Sequence, residues 1–198
     1  MWDWNAVEMR LHLIRHGKTL ANTQKLYCGV TDLSVSEDGM RELRVLKKKV
    51  AYPTASLHVV SGLRRTIQTA NLLFDHPVLH PVTQLQEINF GAFEMQGYET
   101  LRWMQSYQNW IANIEQVTPL GGENKQMFVQ RVRHGLQAIE ALCERHETNQ
   151  VLVVTHGGVI ATIMEEHFPQ QKNFYEWQPE CGRGYTVCLG EEKCYERI

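Results

Sequence analysis

No stretch of the sequence approaches the ~18 consecutive apolar residues of a membrane-spanning helix, so no span is expected. Charge of one sign is also missing. Twenty Lys and Arg against 22 Asp and Glu leave a formal net charge of −2 and a pI near 6.5. Such a balance gives no general attraction to nucleic acid or to an anionic membrane surface. The one basic run, Lys47-Lys48-Lys49, follows a helical stretch, where cations complement the helix dipole. Paired cysteine motifs are absent as well. The five cysteines (Cys28, Cys143, Cys181, Cys188 and Cys194) are odd in number, irregularly spaced and without a C-x-x-C. That argues against a zinc site or a disulfide framework and for reduced thiols in a cytoplasmic protein. Cys28 has no obvious partner and reads as a packing residue, not a nucleophile. The opening "MWDWNAVEMR" lacks a basic n-region and an apolar h-region, so no secretory signal is expected, and residues 1–8 read as a flexible extension. There is no internal repeat, low-complexity linker or composition shift. The 198 residues, 43% hydrophobic, are expected to form a single domain with one substantial core.

What is present is an alternation of periods. Met9 to Ile14 alternates and then runs apolar, and Leu57–Val60 ("LHVV") and Val151–Val154 ("VLVV") are short and mainly apolar; these read as buried strands. Between them lie helical patterns. Ser34-Val35-Ser36-Glu37 has the S-x-x-E form of a capping box ahead of Met40, Leu43, Leu46 and Val50. Arg65–Phe74 reads as helix, and Tyr98, Leu101, Met104, Tyr107, Ile111 and Ile114 predict one helix over 98–114. Phe128 to Leu142 predicts a long helix, and a helical pattern follows Gly157-Gly158. Thr186–Leu189, with Lys193–Ile198 as its partner, closes the chain as strand. Strands alternating with helices argue for an α/β layered fold with a mainly parallel sheet.

In such a sheet, sites form outside the carboxyl ends of the strands. The three buried strands end in Arg15-His16-Gly17, in Ser61-Gly62-Leu63-Arg64-Arg65 and in Thr155-His156-Gly157-Gly158. One edge would therefore gather two histidines and at least two arginines. A metal site fits poorly: His12 and His16 lie ~13 Å apart if both are on a strand, and arginines repel a cation. A phosphate dianion fits well. Arginine presents a charged fork matched to phosphate oxygens. Gly17, Gly157 and Gly158 leave backbone N–H groups accessible, the last two at a helix N-terminus. Neutral His16 in that pocket could attack phosphorus. Glu87, in a predicted loop, is a candidate acid for the leaving oxygen and then a base for water. Glu94 could equally be a structural acceptor. Trp103, Tyr107 and Trp110, at helical spacing, read as core or as a pocket lid.

These residues are recognisable together. "LIRHGKTLAN" resembles the opening motif of the histidine phosphatase superfamily, whose branches include the cofactor-dependent phosphoglycerate mutases and many small phosphatases. "GVTDLSVSEDG", "SGLRRTIQTA", "LQEINFGAFEMQGYETL", "PLGGEN" with "FVQRV", and "VLVVTHGGVI" follow in the family's order. The resemblance implies that His16 is the phosphoaccepting nucleophile and that Arg15, Arg65 and His156 bind the phosphoryl oxygens. Arg65 rather than Arg64 aligns with the second phosphate arginine. It also implies that Glu87 is the proton donor and that Thr19 and Asn22 line the phosphate pocket. The implied fold is a three-layer α/β/α sandwich with a helical lid around residues 90–120, and no metal or organic cofactor would be needed. Departures are Val35 for leucine, Phe93 for tryptophan, Met95 for glycine and Asn124 for serine. They remove no chemical group and bear on the lid and on substrate choice.

A mutase must hold a bisphosphate and exclude water, which calls for extra cations, yet residues 88–130 contain only Arg102 and Lys125. The expectation is therefore a metal-independent phosphatase acting on a small phosphorylated metabolite, and the short chain with "FGAFE" looks most like the α-ribazole phosphatase branch. A phosphoglycerate mutase and a non-catalytic phosphate-binding module are the alternatives. The latter predicts loss of the nucleophile, an arginine or the acid, and all are present. A homodimer is left open.

Overall fold

Strand Gln150–Thr155 explains the layering. In this computed structural model, which describes residues 8–190 and 192–198, successive side chains of that strand face opposite ways. Val151 and Val153 enter one apolar cluster with Val132, Leu136, Ile139, Ile160 and Ile163. Leu152 and Val154 enter another with Leu43, Ala70 and Leu73. Both faces are covered, so Val151–Val154 is apolar at every position, as buried parallel strands are.

The strands are β1 (Met9–Arg15), β2 (Leu57–Val60), β3 (Leu79–Pro81), β4 (Gln150–Thr155), β5 (Gly184–Leu189) and β6 (Cys194–Arg197). Their order in the sheet is β3-β2-β4-β1-β5-β6. The first four run parallel, β5 is antiparallel to β1, and β6 is antiparallel to β5. The helices are α1 (Leu20–Gln24), α2 (Glu37–Lys49), α3 (Arg64–Leu73), α4 (Tyr98–Leu101), α5 (Gln105–Ala112), α6 (Lys125–Arg145) and α7 (Gly157–His167). α2 and α3 cover one face, and α6 and α7 the other. The expected α/β sandwich with a mainly parallel sheet is the fold found. Among the described residues no helix is long and apolar enough to cross a membrane.

Three expectations need correction. The cap of α2 is Ser36, whose hydroxyl accepts from Gly39 N–H at 3.1 Å, not Ser34. Val35 is buried and bridges to Thr19, and Glu37 becomes the first helical residue, where its charge suits the dipole. The helix expected over 98–114 is two helices, α4 and α5. Met104 takes an extended conformation between them, which lets Leu101, Tyr107 and Trp110 reach one cluster with Phe93. Trp103 is left 75% exposed, so it serves no core. The short β3 and α1 were not foreseen. The expectation of an extension over residues 1–8 lies, for 1–7, outside the described residues.

Candidate active site

β2, β4 and β1 are neighbours and parallel, so their carboxyl ends share one edge. His16 follows β1 and His156 follows β4, and their rings meet edge to face with centroids 5.1 Å apart. His16 is buried, and its Nδ1 lies 2.8 Å from the Gly17 carbonyl oxygen. A carbonyl only accepts, so Nδ1 carries the proton and Nε2 keeps its lone pair. The Gly17 peptide is pinned in turn: its N–H donates to Thr69 Oγ1 at 2.9 Å, and the Thr69 hydroxyl donates to the Arg65 carbonyl at 2.6 Å. Burial first, then the Arg65 and Arg15 guanidinium groups, hold His16 well below the usual histidine pKa of 6.5, although the Gly17 hydrogen bond opposes this. The ring is a neutral imidazole with a free, nucleophilic nitrogen.

Arg65 lies in the first turn of α3 and is fully buried. Its Nη1 donates to the Thr31 carbonyl at 2.8 Å, its Nη2 to the Gly29 carbonyl at 2.6 Å and its Nε to His156 Nδ1 at 3.3 Å. Five N–H groups are available, so two remain for a ligand. The neighbouring Arg64 is exposed and binds Asp32 through its backbone and side chain, which removes it from the site. Arg15 is tied to the Pro179 carbonyl through Nη1 at 2.8 Å, while its buried Nε has no partner among the described residues. His156 is fully buried, its Nε2 2.8 Å from Ser61 Oγ. Its pKa is depressed well below 6.5 by burial, then by Arg65, His16, Arg15 and Arg131. Two fixed guanidinium groups with unsatisfied donors beside two neutral imidazoles make a pocket for a tetrahedral anion.

Glu87 stands at the N-terminus of α7, its Oε2 accepting from Gly158 N–H at 2.9 Å and its Oε1 from its neighbour Ile88 N–H at 3.0 Å. Gly158 permits this approach: a Cβ there would lie 2.3 Å from Glu87 Oε1. Arg131 of α6 fixes the loop behind it. It donates to the carbonyls of Gln84, Gln86 and Glu87 at 2.8–3.1 Å and pairs with Glu123, which also accepts from Asn89 N–H. Glu94 has a different task. Its carboxylate accepts from the N–H groups of Gly29, Val30, Thr31 and Phe90 and from the Thr31 hydroxyl, so it shapes the loop whose carbonyls hold Arg65. It is a structural acceptor.

The structure therefore brings Arg15, His16, Arg65, Glu87 and His156 to one sheet edge. Other expectations change. The N–H groups of Gly17 and Gly158 are taken by Thr69 and Glu87, so neither is offered to an anion. Gly157 keeps a packing reason for being glycine: a Cβ there would lie 3.1 Å from Arg15 Cζ. The Thr19 hydroxyl is engaged in the capping box of α1, donating to Asn22 Oδ1 and accepting from Asn22 N–H. Asn22 consequently has only its amide NH₂ to offer. Cys28 is half-buried and burial pushes its thiol pKa up, which fits packing. Among the described residues no group of three or more His, Cys, Asp or Glu is placed to hold a metal ion. The Glu123–Arg131 clamp and the hydroxyls of Ser61, Thr66 and Thr69 were missed, although all lie inside the motif segments quoted above.

A family model for the histidine phosphatase superfamily (branch 1) matches residues 11–184. An adenosylcobalamin/alpha-ribazole phosphatase of Escherichia coli strain K12 is 32% identical over 161 residues, 79% of this chain and 77% of that one. The crystal structure of the alpha-ribazole phosphatase from Shigella flexneri superposes with a TM-score of 0.78 at 27% identity, covering 90% of both chains. That of phosphoglycerate mutase from Thermus thermophilus superposes with a TM-score of 0.71 at 28% identity, covering 96% of this chain and 98% of that one. The family match spans most of the chain and the fold agrees with these likenesses: the chain belongs to branch 1 of the histidine phosphatase superfamily and is a phosphatase enzyme.

Proposed function

We propose that this chain hydrolyses a small phosphomonoester, with α-ribazole phosphate the first candidate, through a phosphohistidine on His16. The observation that carries the reading is the bare Nε2 of a buried, neutral His16, set by its Nδ1–H···O=C bond to Gly17. The phosphoryl dianion sits between Arg15 and Arg65, on the donors that no protein group uses, with His156 and the Asn22 amide beside it. His16 Nε2 attacks phosphorus, the bond to the ester oxygen breaks, and that oxygen takes the proton of Glu87. A water molecule then gives its proton to the Glu87 carboxylate as its oxygen adds to phosphorus. The N–P bond breaks, and inorganic phosphate leaves. The arginines and the His156 ring stabilise charge on the equatorial oxygens throughout.

The substrate class is supported by the named relatives and by the lid. The two cations of residues 88–130 are both engaged: Arg102 with Glu99 at 3.1 Å and over the Trp103 ring, Lys125 with Glu115 at 3.0 Å and Glu165 at 3.4 Å. Each already faces a carboxylate, which weighs against its holding the second phosphate of a mutase's bisphosphate. We take residues 1–198 as one domain with a lid over about 90–120, working without metal in the cytoplasm, where its thiols stay reduced. Phosphate release from α-ribazole phosphate, an aryl phosphate, sugar phosphates and nucleotides, with mutase activity assayed in parallel, tests this. Expected is EDTA-resistant release, fastest from α-ribazole phosphate and absent in His16→Ala. Release undiminished in that variant overturns the nucleophile, and mutase turnover in place of hydrolysis overturns the reaction.

A further inference from the structure

The His156 ring is joined to a row of hydroxyls whose direction is fixed at both ends. At one end the Thr66 hydroxyl donates its only proton to the Leu63 carbonyl at 2.8 Å. Thr66 Oγ1 can then only accept from Ser61 Oγ, 3.2 Å away. The Ser61 proton is thereby used, so Ser61 Oγ must accept from His156 Nε2 at 2.8 Å. At the other end Arg65 Nε, which can only donate, meets His156 Nδ1 at 3.3 Å. Both ends give the same answer: at rest His156 carries its proton on Nε2, with a lone pair on Nδ1. Ser61, Thr66 and His156 are buried, so no solvent competes for these bonds.

We propose that Ser61 and Thr66 are positioning residues that lock this tautomer and ready His156 for protonation when a dianion enters. This rests on the reading of the pocket as a phosphoryl site. A lone pair on Nδ1 faces the anion unfavourably, and a second proton resolves the conflict. As the dianion binds, Nδ1 takes one proton from solvent. The imidazolium then donates from Nε2 to Ser61 and from Nδ1 to a phosphoryl oxygen that also accepts from Arg65 Nε–H, in place of the 3.3 Å bond between the two nitrogens, while the guanidinium stays held by the Gly29 and Thr31 carbonyls. Arg65, Arg15 and Arg131 oppose that proton in the empty site; the incoming dianion favours it, and Glu87, protonated when it serves as the acid, stands neutral at the start of α7. Ser61 matters most in the charged form, because a hydrogen bond from a cation is about twice as strong as a neutral one.

Long-range ¹H–¹⁵N correlation spectra of ¹⁵N-labelled protein read the tautomer directly. The free enzyme should show His156 protonated on Nε2 alone, and saturation with inorganic phosphate should show both nitrogens protonated. A resting Nδ1–H tautomer overturns the proposal, as does a ring that stays neutral in the phosphate complex. Thr66→Val frees the Ser61 hydroxyl to donate to Nε2 and leaves the tautomer held from the Arg65 side alone, so a minor Nδ1–H population should appear; none appearing counts against the role of Thr66. In kinetics, Ser61→Ala should raise KM about tenfold with kcat within about threefold, the size of one lost charge-assisted hydrogen bond. It should also move the alkaline fall of kcat/KM to lower pH. An unchanged KM and pH profile in Ser61→Ala refutes the role. If no ester is turned over while the spectra are as stated, the phosphatase reading fails and the lock stands.

Discussion

Single atoms decide the geometry of this site, and two substitutions expose that. Gly158→Ala places a methyl group where Glu87 Oε1 now lies, 2.3 Å from the new Cβ, and the backbone of α7 cannot yield because its face is packed on the sheet. The carboxylate must swing away. A displacement of ~1 Å at a proton donor costs on the order of 100-fold in rate. The expected outcome is a kcat lower by that factor, with the urea midpoint nearly unchanged; a wild-type kcat would remove Glu87 from the acid's place. Glu94→Gln acts differently. Its two carboxylate oxygens take four backbone N–H groups and one hydroxyl, and an amide presents donors to donors. About 1–3 kcal/mol of stability should be lost. Because the Gly29 and Thr31 carbonyls hold Arg65, KM for the phosphoester should rise as well. A urea titration and a KM measurement on the same preparation check both.

At the scale of elements, burial on two faces made β1, β2 and β4 legible: each is mainly apolar, with His12 in β1 and His58 in β2 as interruptions, and the chemistry follows where the strand stops. The same logic could not show β3, a three-residue edge strand ending in Pro81, nor α1, five residues held by the Thr19–Asn22 box. It also joined α4 and α5, because the spacing of Leu101, Tyr107 and Trp110 survives the extended Met104 that interrupts the helix. Within the site, residue types and strand ends were readable. The His156 tautomer and the Arg131 clamp were not, since they depend on contacts such as Ser61–His156 and Arg131–Glu87, 95 and 44 positions apart, that leave no periodic trace. The proposed lid has an apolar cluster of Phe93, Leu101, Tyr107 and Trp110, packed with Tyr27 and with Phe90, which also packs against the larger sheet cluster. Segments with a core of their own open independently. Trp110→Ala should therefore speed amide exchange across residues 98–112 and leave β4 protected. Equal acceleration in β4 would mean that lid and sheet unfold as one.

For the molecule as a whole, the histidines set how stability depends on pH. His12, His16, His58, His156 and His167 are all held below the ordinary 6.5, in each case first by burial, and His167 is lowered to about 4. Unfolding exposes them, and they then titrate near 6.5. Between that value and the depressed native ones, the unfolded chain binds more protons than the folded one, so acid favours unfolding. The contribution is complete above pH 6.5 and is lost as pH falls through the native pKa values. A histidine neutral in the native state and protonated when unfolded adds a slope of about 1.4 kcal/mol per pH unit. The urea midpoint should hence be flat from pH 7.5 to 8.5 and fall steeply from 6.5 to 5. A His156→Gln variant, which keeps a polar side chain but cannot titrate, should fall less steeply over the same interval. Circular dichroism in urea at six pH values checks both slopes. A midpoint that holds constant down to pH 5 would mean that these rings take up protons in the folded state, and the neutral His16 on which the phosphoryl chemistry depends would then have to be abandoned.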